Sequence, residues 1–274
     1  MKRFRLRFVS RDTFARNVRA SFSLSVRNTF ETTPKWMWIA HILLTSFFSM
    51  LMFALIASYV GNPEVTVPYV VIGNAVQTVS FTTLRSIAEI PNREKHTGTL
   101  PPLMAAPSNL FEVFFGMALF NIFAGLVSAT AGLMYAVLVF GVDFSAANVP
   151  LLALIIVMTS MSMTGLGMTI GGVGLHLRTA TILSNITSYV GIVLCGVNFP
   201  VSYLPQWAQA LSATHPLTYA VAATRGAVGG MSLAELWVPV SIMAFLGLFF
   251  LLFSMLFFKY FEEKSKKQGT LELF

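Results

Sequence analysis

The chain has 274 residues, of which 55% are hydrophobic and only 11% charged, against about 25% charged in an ordinary soluble domain. Its apolar runs are too long for a soluble fold, and a single cysteine, Cys195, excludes a disulfide framework or a cysteine-rich metal site. The net charge of +7 could suggest nucleic acid, but the basic residues are placed as a membrane protein places them.

In chain order, residues 1–35 come first, with Phe4 and Phe8, then Phe14, Val18, Phe22, Val26 and Phe30, at four-residue steps. Arg5, Arg7, Arg11, Arg16, Arg19 and Arg27 lie mostly between them. This spacing predicts a basic amphipathic helix lying on the inner leaflet, its arginines at anionic head groups. The alternative is a solvated basic leader with no docking role. Pro34 ends the stretch. A secretory signal does not fit, because the first apolar run begins only near Trp36 and is too long.

Six segments are then long and apolar enough to cross a bilayer, at roughly 20 residues each: 36–59, 68–90, 111–140, 150–174, 179–199 and 236–258. The expected fold is an all-α polytopic membrane protein whose termini share one side. Charge selects the cytoplasm as that side. The first 35 residues carry nine Lys or Arg, the tail from Lys259 carries four, and Arg85, Arg93, Lys95 and Arg178 also fall inside, leaving Arg225 as the single outward one of eighteen.

Within the spans, Asn74, Gln77, Thr78, Thr82 and Thr83 share faces of the second, and Asn121, Asn185, Thr187 and Asn198 add polar positions. Such groups join helices or line a path, and Asn74, Gln77 and Thr78 are the candidate path-lining residues. Arg85 and Glu89 are i,i+4 neighbours, placed for a local ion pair, for snorkelling to the interface or for a gate. In the fourth span, Gly165, Gly167, Gly171 and Gly174 allow another helix to approach closely, and Met158, Met161, Met163 and Met168 suit a permissive apolar cavity.

Two connections stand out. After the second span comes Arg93-Glu94-Lys95-His96-Thr97-Gly98-Thr99-Leu100, then Met104-Ala105-Ala106-Pro107, a charged and proline-bearing loop with short helical pieces. Ser108 can cap the helix that follows. Between the fifth and sixth spans, Pro200, Pro205 and Pro216 forbid one helix and predict two short ones, with His215 opening the second. Tyr203, Trp207 and Tyr219 suit a lipid–water boundary.

Together these two stretches resemble the type-2 ABC export permeases. The first follows that family's Glu-Arg-(Glu)-x-Gly-Thr-Leu segment ahead of the third span. In the second, Gly196, Phe199, Pro200, Leu204, Pro205, Trp207, Pro216, Leu217, Thr218, Tyr219 and Arg225 match its external segment in order. His215 stands where Asn is common, and the Pro101-Pro102 pair is unusual for the family. The resemblance implies a surface helix over 1–35, a six-span permease over 36–258 with a cytoplasmic coupling loop at 91–110 and a broken external re-entrant segment at 200–230, and a cytoplasmic tail over 259–274. It further implies a second permease copy or similar subunit and a separate ATPase carrying ATP and Mg, contacted through Arg93, Glu94, Thr97, Gly98, Thr99 and Leu100. The expected setting is a bacterial cytoplasmic membrane.

The chain contains no Gly-x-x-x-x-Gly-Lys-Ser/Thr loop of its own, so no cofactor is expected on it. An intramembrane enzyme finds no nucleophile or metal motif, His41, His96, His176 and His215 being too scattered to bind one ion. An ion-coupled secondary transporter would show an internal repeat, and the halves 36–140 and 150–258 show none clearly. Expected cargo is a drug-like, peptide or lipid-like amphiphile, with a lipid-linked polysaccharide as the alternative.

Overall fold

The computed structural model describes residues 11–106, 109–177 and 179–268. Expectations for Phe4, Phe8, Arg5, Arg7, Pro107, Ser108, Arg178 and the end of the tail lie outside these residues. Among the described residues every regular element is helical.

Helix α1 (Arg11–Thr32) leads into α2 (Lys35–Val60) across Pro34, and α2 closes on Gly61, whose left-handed φ of 62° turns its N–H back to the Ala57 carbonyl. Helix α3 (Val67–Val79) opens behind Thr66, whose side chain accepts from the Tyr69 N–H. It runs in unbroken right-handed geometry through a π-helical stretch, Ser80–Arg85, into α4 (Ser86–Ala88). Two short helices follow, α5 (Ile90–His96) and α6 (Leu100–Ala105), then the long α7 (Leu110–Leu138) and α8 (Val149–Leu177). Asn109 caps α7 by accepting from the Phe111 N–H at 3.0 Å. The chain ends with α9 (Ala180–Leu194), α10 (Gln206–Ala213), α11 (Pro216–Val228) and α12 (Leu233–Gln268).

Six spans were expected; four helices, α2, α7, α8 and α12, are long and apolar enough to cross a membrane. The second expected span is the α3–π–α4 rod, whose regular α-helical runs are short because the π stretch divides them. The fifth, expected over 179–199, stops at Leu194 after 15 residues, a rise of about 22 Å against a hydrocarbon core of about 30 Å. Gly196, at φ 71°, turns the chain out of the helix there.

Helix α8 is the centre of the bundle. Along one side runs α12, where a β-carbon at Gly165 would overlap the Gly247 carbonyl oxygen. With the backbones that close, Ser162 donates to the Met243 carbonyl at 3.0 Å and Thr169 to the Phe250 carbonyl at 2.7 Å. On another side of α8, a β-carbon at Gly167 would lie 2.8 Å from the Leu84 carbonyl oxygen of the second-span rod. The glycine run is a packing surface.

One buried cluster, with Met50, Val71, Ile155, Ala223 and Val240, sits at the end of the bundle where the 139–148 loop meets α11. Another, with Ile90, Leu100, Met104, Leu110, Phe114, Phe258 and Phe261, gathers α5, α6, the start of α7 and the late part of α12 at the other end. Helix α1 docks at that second end too: Asn17 donates to buried Glu112 at 2.8 Å, and a β-carbon at Gly116 would sit 2.6 Å from the Val18 carbonyl oxygen. The protein-facing side of α1 is Ser21 and Ser25, while Phe14 and Phe22 stay exposed. Outside, Leu44, Phe48, Met52 and Leu55 on α2 and Phe245, Leu248, Leu252 and Leu256 on α12 are also exposed. An apolar exterior of this extent suits hydrocarbon, not water.

Candidate functional site

The loop between the second and third expected spans is built around a helix stop. Helix α5 ends on Gly98 at φ 71°, the conformation glycine adopts without strain. The Thr99 N–H reaches back to the Glu94 carbonyl at 2.9 Å, and the Gly98 N–H to the Lys95 carbonyl at 3.1 Å. That pair of bonds is a Schellman motif. Where an apolar contact usually closes such a motif, here Thr99 donates its hydroxyl to the Glu94 carboxylate at 2.5 Å and also to the Glu94 carbonyl at 3.1 Å. The Thr97 hydroxyl adds a bond to the Glu94 carbonyl at 3.2 Å and lies 2.8 Å from that of Thr99.

Burial divides these residues into supports and a tip. Glu94 is 1% exposed and Leu100 2%, whereas Arg93, His96, Thr97, Gly98 and Thr99 are exposed. Arg93 approaches the Glu94 carboxylate at 3.9 Å, a loose ion pair. Glu94 therefore positions the tip, and the surface another protein could touch is 95–99.

At the opposite end, the segment after α9 is clasped by Arg225. From the third turn of α11 its guanidinium donates to the Gly196 carbonyl at 2.8 Å, to Val197 at 2.8 Å and to Tyr69 at 2.9 and 3.2 Å. It also stacks over the Tyr69 ring, 3.4 Å from its centroid. Two backbone segments far apart in sequence, at Tyr69 and at Gly196–Val197, meet on one side chain. Gly73 makes room for it, since a β-carbon there would overlap the Val197 carbonyl oxygen and stand 2.6 Å from the guanidinium.

Beyond the clasp, Pro200 opens a single 3-10 turn, Val201–Tyr203, and Pro205 opens α10. Pro216 is in the first turn of α11, and His215 caps that helix, its Nδ1 accepting from the Leu217 N–H at 3.2 Å. Tyr219 donates to the Ala213 carbonyl at 3.0 Å, tying α11 to α10. Tyr203 donates to Glu64 at 2.5 Å, which links this segment to the 61–66 loop and raises the phenol above its usual 10.0 because the carboxylate accepts a hydrogen bond from the protonated phenol. Trp207 and Tyr203 project outward, with Leu204 and Phe199 half-buried.

Asn74 is buried, donating to the Asn198 side chain at 2.7 Å and to the Val70 carbonyl at 2.9 Å. Gln77 is buried as well, donating to the Ser188 carbonyl at 3.4 Å. Both join α3 to its neighbours. Thr78 differs: it borders a cavity of about 570 Å³ between α2, the second-span rod and α7.

Trp38, His41, Thr45, Ser49, Phe81, Arg85 and Glu89 also line that cavity. A second hollow of about 440 Å³ shares Trp38, Ser86, Glu89 and Asn121 with it and reaches Thr29, Asn92, Arg93 and His96. The ion pair open to Arg85 and Glu89 is not formed; Arg85 lies over the Phe81 ring at 5.8 Å. Near the other end, Phe53, Ile56, Val193, Phe199 and Tyr203 line a mainly apolar cleft of about 450 Å³. Sequence reasoning passed over Trp38 and His41 because a groove between helices has no sequence spacing. Among the described residues, no three His, Cys, Asp or Glu side chains could hold a metal ion.

The family model described as ABC-2 type transporter matches residues 14–228. That is well over half of the chain. The chain belongs to the ABC-2 type transporter family. No curated protein matches it. As an ABC-2 permease it is a transmembrane transport component and a multi-pass membrane protein, not itself a nucleotide-binding enzyme. The matched region begins in α1 and ends on the last residue of α11, so it takes in the Gly98 turn, the Arg225 clasp and the groove.

Proposed function

We propose that this ABC-2 permease is the membrane half of an ATP-driven exporter. Two copies, or one copy and a similar subunit, pair in a bacterial cytoplasmic membrane, each docked on a separate ATPase that holds ATP and Mg. The cargo is a drug-like, peptide or lipid-like amphiphile moved outward. In this reading the α3–π–α4 rod and α9 complete six crossings, with both termini and the 91–110 loop cytoplasmic and the 200–230 segment folding back on the external side. Three features support it: the basic residues gather at the end that holds α1 and α5, the late part of α12 packs at that same end, and the Arg225 clasp lies opposite.

The observation that carries the proposal is the coupling turn. A buried carboxylate holding a hydrogen-bonded tip whose last four residues are exposed is what a lever needs to receive force from a partner, since a floppy tip would absorb the motion. ATP binding can bias the permease only by what it contributes differently in two states, and a stiff contact transmits that difference. The groove that carries Arg85, Glu89 and several hydroxyls at one end and the mainly apolar cleft at the other, both against α2, suit a molecule with two chemical ends.

The test replaces Gly98 with Val and Glu94 with Ala. Valine at a left-handed φ costs about 1–2 kcal/mol, and the alanine removes the Thr99 anchor. Both variants are expected to reach the membrane at wild-type levels while permease-dependent ATP hydrolysis by the purified complex falls at least about ten-fold. Wild-type hydrolysis in both removes the coupling role.

A further inference from the structure

The groove beside α2 carries more than its shape. Arg85 lies about 27 Å along the rod from Val67, close to one edge of a hydrocarbon core about 30 Å thick. Among the described residues its guanidinium has no hydrogen bond and no ion pair, only the Phe81 ring. Glu89 lines the same groove one turn on without pairing to it. The Thr45 and Ser49 hydroxyls on the facing wall are likewise without hydrogen-bond partners among the described residues. An arginine at membrane depth ordinarily finds a partner or a function.

Three properties then define what would fit. The two hollows run together from Arg93 and His96 at the mouth, past Arg85 and Glu89, to Thr78 and Ser49 farther in. The charged side chains lining this route are two guanidiniums, Arg85 and Arg93, and one carboxylate, Glu89; Arg93 is loosely paired to Glu94 behind it, which leaves Arg85 as the route's unpaired cation among the described residues. Aromatic surface from Trp38, Phe81 and Phe120 flanks the route.

We propose that this groove binds an amphiphile with an anionic head group drawn from the inner leaflet. Arg85 holds the anion, Arg93 at the mouth attracts it, and the apolar part lies against Trp38 and Phe81. This deepens the exporter reading and rests on it only for what happens after binding. The same chemistry serves a resident anionic lipid or a transported one.

Trp38 is a built-in reporter because it lines both hollows. In nanodiscs, a chain with Trp36, Trp207 and Trp237 replaced by Phe is titrated with brominated phosphatidylglycerol or brominated phosphatidylcholine, and quenching of Trp38 is read. Each basic residue near an anionic surface is worth about a five-fold preference, so the anionic lipid is expected to win by about five-fold or more. Arg85→Gln lowers that preference about five-fold, whereas Arg16→Gln on the exposed part of α1 leaves it unchanged. Should the triple replacement not fold, native mass spectrometry of the unmodified chain and its Arg85→Gln variant counts retained phosphatidylglycerol instead. Equal quenching by both lipids, or a preference that survives Arg85→Gln, overturns the site. Neither readout requires ATP or an ATPase, so failure here is separate from failure of the exporter reading. A second arm adds the co-purified ATPase and ATP and follows a labelled phosphatidylglycerol across the bilayer. ATP-driven movement supports the site as a cargo site; groove binding without movement supports it as a resident-lipid site.

Discussion

Replacing Arg225 with Met should unlatch the segment after α9 without dissolving the bundle. The substitution keeps an unbranched side chain and deletes every donor. Three carbonyls, those of Tyr69, Gly196 and Val197, lose a charged donor, at about 1.5–3 kcal/mol for each such bond, although the Tyr69 hydroxyl still reaches the Gly196 carbonyl at 3.3 Å. The stacked cation over Tyr69 is worth up to about 2 kcal/mol more. Water reaching this end of the bundle would recover part of this, so a local loss on the order of 4 kcal/mol is reasonable, or nearly a thousand-fold in the open population. The chain supplies its own reporter: Cys195 is its single cysteine and is 1% exposed, one residue before Gly196. Reaction of Cys195 with a maleimide should accelerate by at least a hundred-fold in Arg225→Met. Arg225→Lys should fall between, because an ammonium cannot donate to three carbonyls in a planar fork. If Cys195 in Arg225→Met reacts at the wild-type rate, the clasp does not hold the segment and the reasoning fails.

Further outcomes follow from the same contacts. Gly165→Ala should force α8 from α12, cost about 1–3 kcal/mol as overpacking does, and lower the thermal midpoint in detergent by several degrees; an unchanged midpoint would mean that the two backbones do not meet there. The Tyr203–Glu64 link has a defined pH sense: the phenol is raised above 10.0, so the link is complete below that value and is lost as pH rises through the higher folded value. A distance probe between the 61–66 loop and position 203 should therefore stay short at neutral pH and lengthen only in strong alkali, while Tyr203→Phe should be long at every pH. Asn17→Leu should release α1 from buried Glu112 and raise its proteolytic cleavage, leaving the α8–α12 pair intact.

The fold was legible where apolar length decides it. The runs behind α2, α7, α8 and α12 were placed to within a few residues, α12 excepted, because it continues through the charged tail as a helix to Gln268. The end of α9 was hidden, since Cys195 to Phe199 read as apolar continuation while only Gly196 carries the turn. In the 91–110 loop the pattern Glu94…Gly98-Thr99-Leu100 was visible, but its physical meaning, a polar Schellman stop, appears only with the backbone in hand. Arg225 was picked out from its motif, yet its partners are backbone carbonyls 28 to 156 residues away and leave no side-chain signature. The Arg85–Glu89 pair illustrates the limit of i,i+4 reasoning, because Phe81 stands one turn before Arg85 and offers its ring face instead.

The most direct test of the exporter account is purification of the tagged chain from its native membranes in mild detergent, followed by identification of what remains bound and an assay of ATP hydrolysis. The account predicts a stoichiometric nucleotide-binding partner whose hydrolysis depends on the 95–99 tip. A chain recovered without any ATPase, yet moving its cargo in vesicles on an ion gradient alone, would contradict it.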